Sequence, residues 1–208
     1  MKRLSFLVAA GLALGAPALA ASAPTWTADL VHSRAEFTVS HLVVSKVWGH
    51  IPIAEMSLGA RPGSAIPTQI EAVLNVAHED TDNHDRDADL RSATYFDIAH
   101  YPTMSFRSTE IAPKDPDDFT VSGDLTIKNV TKPVTFLVHI EGRIPDETGG
   151  TRVGYSAQLH IDRRQWGIVD NRLSAAGVLL VGYDVTIGLT AEAVSNDPAL
   201  RVGSTNPR

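Results

Sequence analysis

The sequence predicts an all-β domain interrupted by a single short helical insertion. Three observations predict it: apolar residues recur at every second position along most of the chain, turn-forming residues separate those rows at short intervals, and only one segment breaks the alternation. Alternation of period two marks a strand with one face buried and the other in water. A length of 208 residues is enough for one globular domain with a core of its own. With 15 Gly and 12 Pro, the composition is that of neither a disordered nor a collagen-like polymer.

In chain order, the first row is Ala35, Phe37 and Val39 set against Arg34, Glu36, Thr38 and Ser40, and a further strand is expected around Ile51 to Leu58. Ile70, Ala72, Leu74 and Val76 follow, then Met104 and Phe106 between Thr103, Ser105 and Arg107. The clearest row is Phe119, Val121, Leu125 and Ile127 against Thr120, Ser122, Asp124 and Thr126. Val134 to Ile140, Val153 to Ile161 and Val185 to Ala191 complete about eight half-buried strands. Pro62-Gly63-Ser64, Pro113 to Asp118, Lys128-Asn129, Asp146 to Gly150 and Asn171 supply the turns, and short connections favour antiparallel neighbours. Eight such strands can close as a barrel or stack as a sandwich, and alternation alone does not choose between them.

The exception runs from His78 to Tyr101, charged first and apolar afterwards, and ends at Pro102. Asp82 or Asn83 can cap a short helix whose Leu90 and following Tyr95-Phe96 face inward. Its density of His and Asp suggests a metal, but the calcium-loop template fails. From Asp80 the sixth position is Asp85 in place of Gly, and the twelfth is Arg91 in place of Glu. Nor does His78-Glu79 continue into H-E-x-x-H. No metal site and no cofactor are expected.

Both ends stand apart from the domain. Lys2 and Arg3 precede an apolar stretch from Leu4 to Ala16, then Pro17 and Ala18-Leu19-Ala20, the three regions of a secretory signal. The stretch falls short of the roughly 18 residues a membrane span needs. Residues 1–20 are therefore expected to be removed after Ala20, leaving a domain over 21–194, a frayed tail over 195–208, and a periplasmic protein that does not span the membrane. Losing Lys2 and Arg3 takes the formal charge from −6 to −8. Without a cluster of Lys and Arg, a nucleic-acid partner is not expected. Without Cys, disulfides, thiolate zinc, redox pairs and covalently attached c-type haem are excluded.

Catalytic motifs are thin. No G-x-S-x-G is present, and Asp80-Thr81-Asp82 lacks the Gly of an aspartic-protease loop. Of eight His, His139 and His160 fall on the polar parity of their strands, whereas His41 shares the parity of Phe37 and Val39. His41 reads as a hydrogen-bonded rim residue or as a ligand contact.

Several blocks in order resemble one family. Asp29-Leu-Val-His32-Ser33, Phe37, His41-Leu42 and Gly49 come first, then Arg86-Asp87-x-x-Leu90-Arg91-Ser92, Phe96-Asp97 and Tyr101-Pro102. Ser105-Phe106-x-Ser108, Gly123 to Ile127, Val130 to Val134, Arg163-x-x-Trp166-Gly167 and Asp184-Val185 follow. Together, over Trp26 to Val194, they resemble the YceI-like family of periplasmic, lipocalin-like polyisoprenoid-binding proteins. Asn129 stands where that family usually has a turn Gly, and left-handed geometry is expected there. Trp48 and Ile51 replace a commonly polar residue and a Phe.

The resemblance implies an eight-stranded antiparallel barrel with a lengthwise apolar tunnel and the helical insertion near its mouth. On strand parity, Phe37, Ile70, Phe106, Leu125, Phe136 and Leu159 would line that tunnel. His32, His41, Arg86, Arg91, Arg163 and Trp166 would form a rim for a polar headgroup, the three Arg suiting phosphate or carboxylate. The competing reading has Arg86 paired within the insertion and Arg163-x-x-Trp166 as a structural corner. A non-enzymatic carrier or store of an isoprenoid or other long-chain amphiphile is the expected function. The alternatives are an accessory protein delivering a quinone-like lipid to a membrane redox protein, and an enzyme on such a lipid using His32 or His41.

Overall fold

The structure, a computed structural model, describes residues 25–201, so the expected signal at 1–20 lies outside the described residues. Nine strands make one antiparallel sheet: β1 (Trp26–His41), β2 (Ser45–Ile51), β3 (Ile53–Leu58), β4 (Ile70–Asn75), β5 (Thr103–Pro113), β6 (Asp118–Ile127), β7 (Val130–Pro145), β8 (Thr151–Asp162) and β9 (Val181–Ser195). Their spatial order is β2-β1-β9-β8-β7-β6-β5-β4-β3. Alternation predicts eight strands. The ninth arises because the run expected around Ile51 to Leu58 starts at Ser45 and is broken at Pro52, which has no N–H to give a ladder.

That break decides between barrel and sandwich. Ile51 pairs with Ala35 of β1, while Ile53, two residues on, pairs with Leu74 of β4. One run of chain thus supplies both edges of the sheet, and the sheet must curl to bring them together.

Two local features depart from simple alternation. Within β1, Asp29 faces Glu192 and Arg34 faces Thr190, so residues 30–33 bulge outward. The Asp29 carboxylate accepts from the Val31 and His32 amides and Ser33 donates to the Asp29 carbonyl, which holds the bulge. In the β6–β7 hairpin the left-handed residue is Lys128 (φ 55°), not the expected Asn129.

The insertion is as anticipated in kind. Helix α1 spans His84–Arg91, and Asn83, not Asp82, caps it by accepting from the Arg86 amide. Leu90, Phe96 and the buried Tyr95 join the apolar cluster that includes Met104, Leu125, Ile127 and Trp166. A second cluster gathers Phe119, Val121, Val153 and Tyr155 towards the other end, and Phe106 packs against both. The packed chain continues past Val194, where fraying is expected. Ser195 and Asp197 are buried, the Asp197 carboxylate accepts from the Gly63 amide, and Thr151 donates to the Leu200 carbonyl.

Candidate functional site

Curling leaves an apolar cavity of about 250 Å³ along the inside of the barrel. Phe37, Ile70, Phe106, Leu125, Phe136 and Leu159, the residues that strand parity assigns to a tunnel, all line it. At one end the lining reaches Val39, Ile168 and Val181, and at the other Leu58, Pro67 and Ala191. The insertion contributes Leu90, Tyr95 and Phe96. Met56, which alternates with Glu55 and Ser57 on β3, and Pro67, from the loop after it, also belong to the lining, and no strand pattern announces Pro67.

The aromatic walls depend on glycines. Phe37 lies across from Gly49 on β2, where an added Cβ would stand 2.5 Å from the Phe37 Cζ and 2.7 Å from the Thr81 Cγ2. Phe106 lies similarly close over Gly123, and its ring centroid is 5.6 Å from that of Phe136. Both tyrosine hydroxyls of the lining have protein partners. Tyr155 donates to the Ala65 carbonyl at 2.7 Å and Tyr95 to the Asp170 carboxylate at 2.5 Å. Burial raises the pKa of both phenols, and the Asp170 carboxylate adds to this at Tyr95.

The structure does not gather the expected rim set into one headgroup site. His32 is exposed on the β1 bulge, hydrogen-bonded to Asp29, while His41 ends β1 far along the strand. Arg163 borders the cavity but is buried, and its guanidinium donates to the carbonyls of Ile168, Asp170, Val181 and Gly182. Trp166 is in the core, its indole donating to the Leu125 carbonyl. The Arg163-x-x-Trp166 motif is therefore a structural corner, made as a 3-10 turn over Arg163–Trp166 and closed by left-handed Gly167. A buried cation needs several acceptors, and backbone carbonyls supply them here.

Arg86 and Arg91 hold the insertion. Arg86 donates to the hydroxyl and carbonyl of Thr81, and Asp87 accepts from the amide and hydroxyl of the same Thr81. Arg91 lies 3.1 Å from the Glu79 carboxylate and donates to the Glu79 carbonyl. Glu79 is buried, and burial pushes its pKa up against the pull of Arg91. On the facing loop, Arg172 bridges Asp170 and Asp89, both at 3.0 Å. Burial works against ionised Asp170, but Arg172 and Tyr95 hold its pKa down at about 2. Sequence spacing gives no sign of this Tyr95–Asp170–Arg172–Asp89 link, which joins residues far apart in the chain.

Asp29, His32 and Glu192 lie close enough together to hold an ion, but Arg152 occupies that position, donating to Asp29 at 2.6 Å and Glu192 at 2.8 Å. In the acidic insertion, Asp80 accepts from the Asp82 amide and Asn83 from the Arg86 amide.

Comparison with known proteins matches this architecture to one family. The family model described as a YceI-like domain matches residues 26–193. A relative, protein YceI of Escherichia coli O17:K52:H18, is 32% identical over 137 residues, covering 66% of this chain and 71% of that protein. Among solved structures, Burkholderia cenocepacia BcnA superposes with a TM-score of 0.66 at 20% identity, covering 80% of this chain and 99% of that one. A polyisoprenoid binding domain from Saccharophagus degradans, implicated in plant cell wall breakdown, gives a TM-score of 0.60 at 12% identity, with coverage of 82% and 98%.

Proposed function

Because the chain belongs to the YceI-like family and its barrel encloses an apolar cavity, we propose that it binds an isoprenoid-type or similar long-chain lipid in that cavity, as an exported, non-enzymatic carrier or store. The observation that carries this reading is the cavity lining: six residues placed on one face by strand parity meet around a single apolar space. Such a wall suits a long hydrocarbon, since each methylene-sized group buried is worth about 0.8 kcal/mol and needs no directional contact. The structural likeness to a polyisoprenoid binding domain supports the choice of lipid class. Export to the periplasm rests on the signal-like residues Lys2 to Ala20.

The occupied rim arginines refine the reading. With Arg86, Arg91 and Arg163 engaged inside the protein, recognition rests on the chain of the ligand more than on its head. Mass spectrometry of organic extracts of the purified protein should find a retained long-chain lipid. Stripping that lipid should lower the thermal midpoint, and adding it back should restore it, because a ligand bound only by the folded state stabilises that state. A polyprenol and its phosphate should then bind within a few-fold of each other. Failure to recover any lipid, together with no uptake of added polyprenol, would overturn the proposal.

A further inference from the structure

We propose that the two neighbouring hairpin tips at the β1–β2 end of the barrel form a docking surface for a lipid bilayer, an inference that rests on the lipid-binding reading above. The first tip is the turn after His41. The Val44 amide donates to the His41 carbonyl, and the two central residues, Leu42 (φ 52°) and Val43 (φ 64°), are both left-handed. That geometry ordinarily selects Asn, Asp or Gly. A β-branched residue there is strained, and strain of this kind concentrates at sites of function. Nor do these side chains serve the core, since Val43 is 77% and Val44 85% exposed.

The second tip continues the first. The Leu42 amide donates to the Leu180 carbonyl, the Leu180 amide donates to the Arg172 carbonyl, and the Ser174 amide to the Val178 carbonyl. Residues 172–180 thus form a small hairpin lying against the β1–β2 turn, and it presents Leu173, 58% exposed. On β2, Trp48 is 65% exposed with the Lys46 ammonium 6.0 Å from its ring. An indole beside an ammonium is suited to the boundary between lipid headgroups and acyl chains. The same end of the barrel is where the cavity lining reaches Val39, Ile168 and Val181, so a bilayer seated on the tips would face that end of the cavity.

Another occupant fits less well. A second copy of the chain would need about 800 Å² per partner for a stable interface, and a few side chains projecting from two loop tips do not supply such a face.

The test is flotation of the purified chain with vesicles of phosphatidylethanolamine and phosphatidylglycerol, with brominated lipids as quenchers. The chain should float with the vesicles, and bromine on the acyl chains should quench its tryptophan emission, an effect that Trp48→Phe removes. The double variant Val44→Asp/Leu173→Asp should partition at least tenfold less, with uptake of a fluorescent long-chain probe from solution unchanged. The proposal is overturned if the wild-type chain stays off the vesicles, if the double variant binds them equally well, or if sizing shows a dimer that the variant dissociates. Should the variant fail to fold, absence of bromolipid quenching in the wild type is enough to overturn it. Probe uptake without vesicle binding sinks the docking surface alone, and vesicle binding without uptake supports docking while sinking the carrier reading.

Discussion

Glu79 is a buried carboxylate whose side-chain counter-charge, among the described residues, is the guanidinium of Arg91. Desolvation raises its pKa, so the folded protein keeps the Glu79 proton to higher pH than the unfolded chain does. Its ionisation therefore costs stability as pH rises from the unfolded value through the raised folded one, and above that interval the cost is constant. Glu79→Gln should flatten this part of the stability profile, read as urea midpoints at a series of mildly acidic to neutral pH values. Arg91→Ala should be worse than Glu79→Gln at neutral pH. Removing the guanidinium leaves the buried Glu79 without its counter-charge, and the partial exposure of Arg91 holds that loss below the roughly 3–5 kcal/mol typical of a fully buried pair. If Arg91→Ala left stability unchanged while weakening only phosphorylated ligands, Arg91 would be a headgroup ligand after all. That role was attractive in the sequence because Arg91 follows Leu90 in a family-like block. What the spacing could not convey is that Glu79, twelve residues earlier, folds beneath it.

Among the elements, β2 shows how one residue can set the size of the cavity. Its Gly49 lets the Phe37 ring lie across the strand, and an added methyl would collide with both that ring and Thr81. Gly49→Ala should therefore push Phe37 into the cavity, with a destabilisation of about 1–3 kcal/mol for overpacking. Binding should fall more steeply for long isoprenoid chains than for short ones, measured as affinity across a chain-length series. A uniform loss at every length would mean that the ring moves outward instead. Most strands were legible because each keeps one face apolar, and the six residues that parity picks out are among those lining the cavity. The break at Pro52 was legible only as a proline, since nothing local says that the halves on either side of it join opposite edges of the sheet. The β1 bulge was hidden for a related reason. Leu30 and Val31 look like strand residues, yet both are exposed on a bulge where the Val31 and His32 amides donate to the Asp29 carboxylate. Arg163 and Trp166 were found as a motif, but spacing does not distinguish a guanidinium facing a ligand from one facing four carbonyls.

For the whole molecule, the reading as an exported lipid binder makes a simple demand on the mature chain. Protein recovered from a periplasmic extract should begin at Ala21 or within a few residues of it, as read by N-terminal sequencing, and an intact Met1 on the functional form would remove the localisation. The domain that remains is closed by its extremes. Trp26 pairs with Ser195 and His41 with Val181, so among the described residues the first strand has the last strand as its neighbour. Contacts between such distant segments form late, because a long loop must be closed before they return any stabilisation. Until β9 is in place, β1 lacks one of its two neighbours in the sheet. The apolar interior does not exist before then, and a chain that stops short of Val181 has strands and hairpins but no enclosed space in which to hold a lipid.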